Sequence, residues 1–247
     1  QNLYSMKQKD FFFILFAIII ILPFIPFSFL TAFQKSFLYN ESYWLITSFI
    51  KFALLATLGE IIGLRIKSGN YIVPGFGIFP RAIVWGFLGL SIKLSFVVFG
   101  SGVPIFLEKS CGLTNTINAM KFNDLLDAFN NGLGGVRLLT AFSISVCMNL
   151  IFAPIMMTLH KITDTHITNN QGTVKGLFTF IKFKEIFPSL NWFVQWDFVF
   201  KRTIPFFWIP AHTITFLLPN EYRIAFAAVL GVALGIILSI ASLKSKK

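Results

Sequence analysis

The chain has 247 residues, of which 55% are hydrophobic and 13% charged, and Phe alone accounts for 32 of them. A soluble domain of this length leaves too much of its surface in water to hide so much apolar material. The formal net charge is +11, but the basic residues stand in pairs between apolar runs. That placement is typical of membrane topology control, so nucleic acid is not an expected partner. Two cysteines, Cys111 and Cys147, are too few for a disulfide framework or a zinc site.

Six apolar runs are each predicted to form a membrane-spanning helix, because several approach or exceed the roughly 20 residues that cross ~30 Å of hydrocarbon. They are Phe11–Phe33, Tyr43–Ile66, Ala82–Leu107, Leu138–Leu159, Ile204–Leu218 and Ile224–Ser242. The fifth run is short and carries Pro205 and Pro210, which predicts a tilted or broken helix. A tight polar turn from Pro219 to Arg223 joins it to the sixth run. The predicted fold class is therefore all-α, a polytopic bundle of transmembrane helices.

The distribution of basic residues supports six spans. With that number, 14 of the 21 Lys and Arg residues fall on one side of the membrane and five on the other, and Lys51 and Lys93 lie within spans. Both termini are expected to face the cytosol or the matrix of an organelle. Because the chain begins at Gln1, we expect a processed or truncated product, and a cleaved import signal would favour mitochondria.

Two polar segments between the predicted spans contain residues that are typical of a surface helix or of a metal site. Lys and Phe alternate between Val174 and Phe187, which predicts an amphipathic helix on the membrane surface, with a solvated loop as the alternative. His160, Asp164 and His166 are expected to lie in a solvated loop, since their spacing matches no recognised metal-ligand pattern. The sequence contains no phosphate loop, dinucleotide fingerprint or nucleophile elbow. It therefore predicts no enzyme activity, no catalytic residue, no metal site and no cofactor.

Three ionisable residues fall inside predicted spans, where a charge at the centre costs roughly 2.5–3.5 kcal/mol. They are Lys51 and Glu60 in the second span and Lys93 in the third. Lys51 and Glu60 lie about 13 Å apart along a helix, too far for a direct pair. Glu60 is therefore the predicted partner of Lys93. This pattern indicates a wet, charge-lined passage between the two helices, or else a buried ion pair or a lysine that reaches the membrane surface.

Small residues recur at every fourth position in two of the predicted spans. This spacing places them on one helix face, where they allow two helix backbones to approach closely. They are Gly59 and Gly63 in the second span, and Ala227, Gly231, Gly235 and Ser239 in the sixth.

The segment from Trp208 to Ser239 resembles the last signature of the Mpv-seventeen family, also called the peroxisomal twenty-two-kilodalton membrane protein family. The residues in similar positions are Trp208, Pro210, Phe216, Pro219, Tyr222, Arg223, Leu238 and Ser239. Other similar patches follow in the family's order: Lys51 with Leu58-Gly59-Glu60, Pro80 with Trp85, and Asn149 with Pro154. Departures include Gly86 in place of a tyrosine and Met148 in place of an aspartate. The resemblance covers about residues 43–242.

This resemblance implies a fold, a location and a function. It divides the chain into an additional span and loop, residues 1–42, and a family-like helical domain, residues 43–247. Members of the family are integral proteins of mitochondrial inner and peroxisomal membranes and are thought to form weakly selective metabolite pores. The resemblance thus implies a pore with Lys51 and Glu60 as its polar groups. Arg223 would anchor the tight turn against lipid phosphate or helix-end carbonyls.

The expected location is the mitochondrial inner membrane, with a bacterial cytoplasmic or a peroxisomal membrane as alternatives. A second function remains open, that of a non-catalytic structural subunit of a larger membrane complex, and the Phe-rich composition and the small residues favour it. The expected partners are membrane lipids, including anionic lipids such as cardiolipin, and other membrane protein subunits.

Overall fold

The computed structural model describes residues 3–25 and 30–244, with side chains described for residues 8–25 and 30–236. No β-strand occurs in the described residues. The main helices are α1 Leu3–Ile21, α2 Trp44–Ser68, α3 Ile78–Lys109, α4 Gly134–Asn169, α5 Ile209–Leu217 and α6 Asn220–Lys244. A π-helical segment, Gln195–Trp208, leads directly into α5. Shorter helical turns occupy Leu22–Phe24, Thr31–Phe33, Gln34–Leu38, Glu41–Tyr43, Thr116–Ala119, Leu125–Asn130, Val174–Leu177, Phe183–Ser189 and Trp192–Val194.

Three of the described helices are long and apolar enough to cross a membrane. They are Glu41–Ser68, which includes the helical turn before α2, Ile78–Lys109 and Gly134–Asn169. They contain the second, third and fourth predicted spans. The all-helical fold class is therefore confirmed, together with three helices of membrane-spanning length. The remaining three spans stay predictions.

Two helices extend into polar sequence that had been predicted as turn or loop. α4 continues to Asn169, well past the predicted span end at Leu159, because helix formation does not stop where the apolar run stops. α6 already begins at Asn220, so the connection from α5 is shorter than the predicted turn. Hydropathy marks where a hydrocarbon environment would end, whereas backbone hydrogen bonding decides where a helix ends.

Two predicted helical segments are shorter than expected. The first span was predicted to continue to Phe33, but α1 ends at Ile21 and a short helical turn with Pro23 follows. Proline lacks a backbone N–H and disrupts the helix at this point. The predicted surface helix from Val174 to Phe187 is also wrong, because this segment holds two separate short helices.

α2 and α6 pack together through glycine. A Cβ atom added at Gly59 would lie 2.7 Å from the Cα atom of Val232, and one added at Gly235 would lie 3.0 Å from the carbonyl oxygen of Gly59. Real Cβ atoms essentially never approach a backbone as closely as 2.7 Å, so position 59 requires glycine at this helix crossing. A Cβ atom at position 235 would require its neighbour to shift by a few tenths of an ångström.

The other small residues predicted to mediate packing are in less crowded positions. Ala227 and Gly63 are buried in their helices. A Cβ atom added at Gly231 would lie 3.9 Å from the Cβ atom of Ala56, an ordinary contact. Ser239 belongs to α6, but its side chain lies outside the described residues.

α2 and α3 pack through phenylalanines against glycines. The ring of Phe49 occupies the space in which a Cβ atom of Gly86 would lie, at 2.4 Å, and Phe52 does the same at Gly89, at 2.6 Å. A side chain larger than that of glycine at position 86 would therefore collide with Phe49. The resulting close alignment of the two helices brings Glu60 of α2 opposite the first turns of α3.

Candidate functional site

Four ionisable side chains from α2, α3 and α4 meet in one polar cluster, which consists of Glu60, Arg81, His160 and Asp164. The Nη1 atom of Arg81 donates to Glu60 Oε2 at 3.1 Å and to Asp164 Oδ1 at 2.5 Å. His160 Nε2 lies 3.1 Å from Glu60 Oε1 and 3.5 Å from Asp164 Oδ1. The cluster is electrically neutral when His160 carries a proton. It therefore links three helices with its charges balanced.

The surroundings of the cluster hold its members in place. Trp85 donates from Nε1 to Glu60 Oε1 at 3.0 Å, and its ring lies 4.3 Å from that of His160. Arg81 also donates from Nε to the carbonyl of Phe76 at 2.7 Å. Arg81 and Trp85 are four residues apart on α3, so both project from one helix face toward Glu60. This sequence spacing is what places both hydrogen-bond donors on the same carboxylate.

The cluster also has the ligand types of a metal site. One ligand atom each from Glu60, His160 and Asp164 lies within 4.8 Å of the others, and carboxylate oxygen with imidazole nitrogen suits zinc. Arg81, however, already donates to both carboxylates. A metal ion would have to displace this guanidinium, so the geometry is that of a partly buried salt-bridge network.

A second ionic contact ties α1 to the end of α2. Arg65 forms a bidentate pair with Asp10, with N···O distances of 2.8 and 2.9 Å. The hydroxyl of Tyr71 donates to the same carboxylate at 2.6 Å, and the Tyr71 ring stacks on Phe13 at 4.1 Å. Burial raises the pKa of the Tyr71 phenol, and the hydrogen bond to Asp10 raises it further. Tyr71 therefore remains a neutral donor.

The predicted pairing of Glu60 with Lys93 is wrong. The Glu60 carboxylate is occupied by Arg81 and His160, whereas Lys93 lines a cavity of about 30 Å³ together with Lys51. The two predicted pathway lysines thus lie together and apart from Glu60. Sequence spacing located these charges on α2 and α3 but could not show which helix faces meet.

Lys51 is buried beside the end of the helical turn Gln34–Leu38. Its Nζ atom donates to the carbonyl of Leu38 at 2.5 Å and lies 4.6 Å from the centroid of the Tyr39 ring. Tyr39 donates to the carbonyl of Phe24 at 2.9 Å, and its ring meets the edge of Tyr222 at 5.2 Å. Burial raises the pKa of Tyr39 to about 12, so its hydroxyl stays protonated and keeps this bond.

Two arginines hold the C-terminal end of α5. Arg223 donates to the carbonyls of Leu218 and Phe216, both at 3.0 Å, and the fully buried Arg137 donates to that of Leu217 at 3.2 Å. Helix-end carbonyls have no intrahelical partner and carry partial negative charge. Of the two partners expected for Arg223, the structure provides helix-end carbonyls.

A buried polar contact joins α4 to α5. Asn149 donates to the carbonyl of Ser145 at 2.9 Å, and its amide group lies 3.1 Å from His212 Nδ1. The ring of Trp208 lies 5.1 Å from that of His212. Asn149 and Trp208, both singled out by the family resemblance, therefore position the same histidine.

The prolines of the resembling motifs lie at helix boundaries or inside a helix. Pro80 is in the first turn of α3, where a backbone N–H would have no helical partner. Pro210 is the second residue of α5, just after the π-helical segment that leads into this helix. Pro219 directly precedes α6, and Pro154 lies inside α4. Each of these residues is placed to shape the fold.

The expectation of a solvated loop for His160, Asp164 and His166 is wrong. All three lie on α4, and His166 is 3% exposed. The sequence analysis did not predict the polar cluster for this reason, and Arg81 was one of the 14 basic residues that it assigned to one side of the membrane. A usable signal was present, since Arg81 and Trp85 share a helix face, as do His160 and Asp164.

Comparison with known proteins yields no match to a family model, a curated protein or a solved structure.

Proposed function

We propose that the protein is an integral membrane protein of six spans in which α2, α3 and α4 form a gated pathway for small ions or metabolites. One observation carries the proposal, namely two separate groups of ionisable side chains inside helices of membrane-spanning length. Lys51 and Lys93 line one cavity, and the polar cluster around Glu60 lies farther along α2. Buried charges in such helices are costly and commonly mark ion pathways.

An apolar layer between the two groups accounts for a closed state. Leu55 lies between Lys51 and Glu60 on α2 and is fully buried in the apolar core. Ile144 of α4 is also fully buried in this core. Hydrophobic constrictions gate pathways by excluding water. In this proposal the core around Leu55 is the gate, and the charged groups attract and orient ions on either side of it.

The membrane itself is also part of the proposal. α1, the π-helical segment with α5, and α6 would supply the first, fifth and sixth spans. The resemblance to the Mpv-seventeen family supports the mitochondrial inner membrane, with a bacterial cytoplasmic or a peroxisomal membrane as alternatives. Anionic lipids such as cardiolipin suit the basic loops.

Conductance of the purified protein in planar bilayers tests the pathway. We expect single-channel currents, and we expect Lys93→Met to shift the ratio of anion to cation permeability toward cations. The matched control is Lys121→Met, which removes an exposed lysine outside the three long helices and should leave the ratio unchanged. Absence of current from correctly inserted protein would contradict the proposal.

Exposed aromatic residues favour a second function, that of a structural subunit in a larger membrane complex. Phe178, Phe180 and Phe193 are 73%, 88% and 76% exposed and lie outside the three helices of membrane-spanning length. Such residues fit a partner surface. Native gels after extraction in mild detergent test this alternative, which predicts a larger assembly, whereas a lone monomer would contradict it.

A further inference from the structure

The cavity that contains Lys51 and Lys93 is lined by their two ammonium groups. Lys51 is 3% exposed, and Lys93 is half-buried. Within the part of the chain that the structure describes, neither ammonium group forms an ion pair with a carboxylate. The two lysines also repel each other electrostatically. Unpaired charge inside a membrane-length helix is costly, so a negatively charged partner would stabilise this arrangement.

The same cavity presents hydroxyl groups that lack an acceptor. Thr47 and Ser48 line it and are each 2% exposed. Among the described residues neither hydroxyl has a hydrogen-bond partner. Both lie on the same face of α2 as Lys51, because they precede it by four and three positions. Lys51 uses one N–H on the carbonyl of Leu38, which leaves two further donors.

Two carboxylates near the cavity affect which anions it can bind. Glu41 and Glu221 also line it, and both residues are exposed. Glu41 attracts Lys93, whereas Arg223 repels it. The positive charges thus lie deeper than the carboxylates. The two carboxylates repel any anion on its way to the lysines, and this repulsion increases with the charge of the anion.

We propose that this cavity is a binding site for a small monovalent inorganic anion such as a halide. The anion lies between the two ammonium groups and accepts hydrogen bonds from Thr47 and Ser48. A volume of about 30 Å³ is sufficient for a small ion. The inference rests on the proposed function only in placing the site on the pathway, and anion binding itself does not require conduction.

Equilibrium dialysis with radiolabelled chloride tests the site directly. The full chain, in detergent and in gluconate buffer of constant ionic strength, should bind chloride saturably with one ion per chain. Lys93→Met should abolish this binding. Ser48→Ala should weaken it about tenfold, because a hydrogen bond to a charged group is lost. The control Lys121→Met should bind chloride as the unaltered protein does.

Ser48→Ala changes no charge, so it tests the site even where a lysine variant does not fold. The proposal is overturned if the unaltered protein shows no saturable binding, if Lys121→Met loses binding equally, or if Ser48→Ala retains full affinity. Chloride binding without conductance would contradict the proposed pathway and support the anion site. Conductance without chloride binding would contradict the anion site and support the pathway.

Discussion

At the scale of single residues, Arg81 shows that the role of a side chain depends on partners that its neighbours in the sequence do not reveal. Its guanidinium joins a carboxylate of α2 to a carboxylate of α4, while its own backbone belongs to α3. Sequence reasoning identified Glu60 as a charge that needs a partner but assigned it to Lys93. The correct partner lies near the start of the next helix, and only the packing of Phe49 and Phe52 against α3 brings it there.

Arg81→Gln should destabilise the protein by about 3 kcal/mol, because it removes one of the two positive charges that offset the partly buried carboxylates of Glu60 and Asp164. The measurement is the free energy of unfolding in detergent micelles. Lys201→Gln is the control, since Lys201 and its partner Asp197 form an exposed pair at 3.5 Å that contributes little. Equal stability of the two variants would contradict the structural role given to the polar cluster.

At the scale of helices, the length of an apolar run predicted which segments are helical more reliably than where each helix ends. Three predicted spans correspond to helices of membrane-spanning length. The end of α4 was misplaced because Asp164 and His166 are polar, although their backbone remains helical to Asn169. The spacing of Gly59 indicated a close helix contact, but the identity of α6 as its partner depends on contacts far apart in the sequence.

Gly59→Ala should weaken the packing of α2 on α6, because the added Cβ atom would lie 2.7 Å from the backbone of Val232. The expected loss is about 1–3 kcal/mol in the free energy of unfolding, as for other overpacked sites. Gly102→Ala is a matched control, since it is also helical and has no atom within 4 Å of an added Cβ. Its greater helix propensity should leave stability unchanged or slightly higher, and an equal loss in both variants would contradict this packing.

At the scale of the whole molecule, composition was sufficient to predict an all-helical fold with helices of membrane-spanning length, whereas the position of the site depends on the fold. Lys51 and Lys93 stand far apart in the sequence, and their shared cavity arises only because α2 and α3 pack side by side. No local sequence pattern predicts that these two lysines line the same cavity. The same limit applies to His212, which lies in an apolar run and acquires its partner Asn149 from another helix.

Six spans predict a definite sidedness for single cysteines, measured with a membrane-impermeant thiol reagent on sealed vesicles. Lys9→Cys and Lys175→Cys should react from one side, and Lys35→Cys from the other, in a Cys111→Ser background. Native Cys111, which is exposed, should react from the same side as Lys35→Cys. Reaction of Lys9→Cys and Lys35→Cys from the same side would show that α1 does not cross the membrane.

The measurement that tests the proposed pathway most directly is the bilayer conductance of Leu55→Ser compared with that of Leu54→Ser. Leu55 is fully buried in the apolar layer, whereas Leu54 is 41% exposed on the outer face of the same helix. A hydroxyl in place of the buried leucine should admit water between the lysine cavity and the polar cluster. We expect at least a tenfold higher open probability for Leu55→Ser, equivalent to about 1.4 kcal/mol, and no change for Leu54→Ser. Equal conductance of both variants and the unaltered protein would contradict a gated pathway along α2.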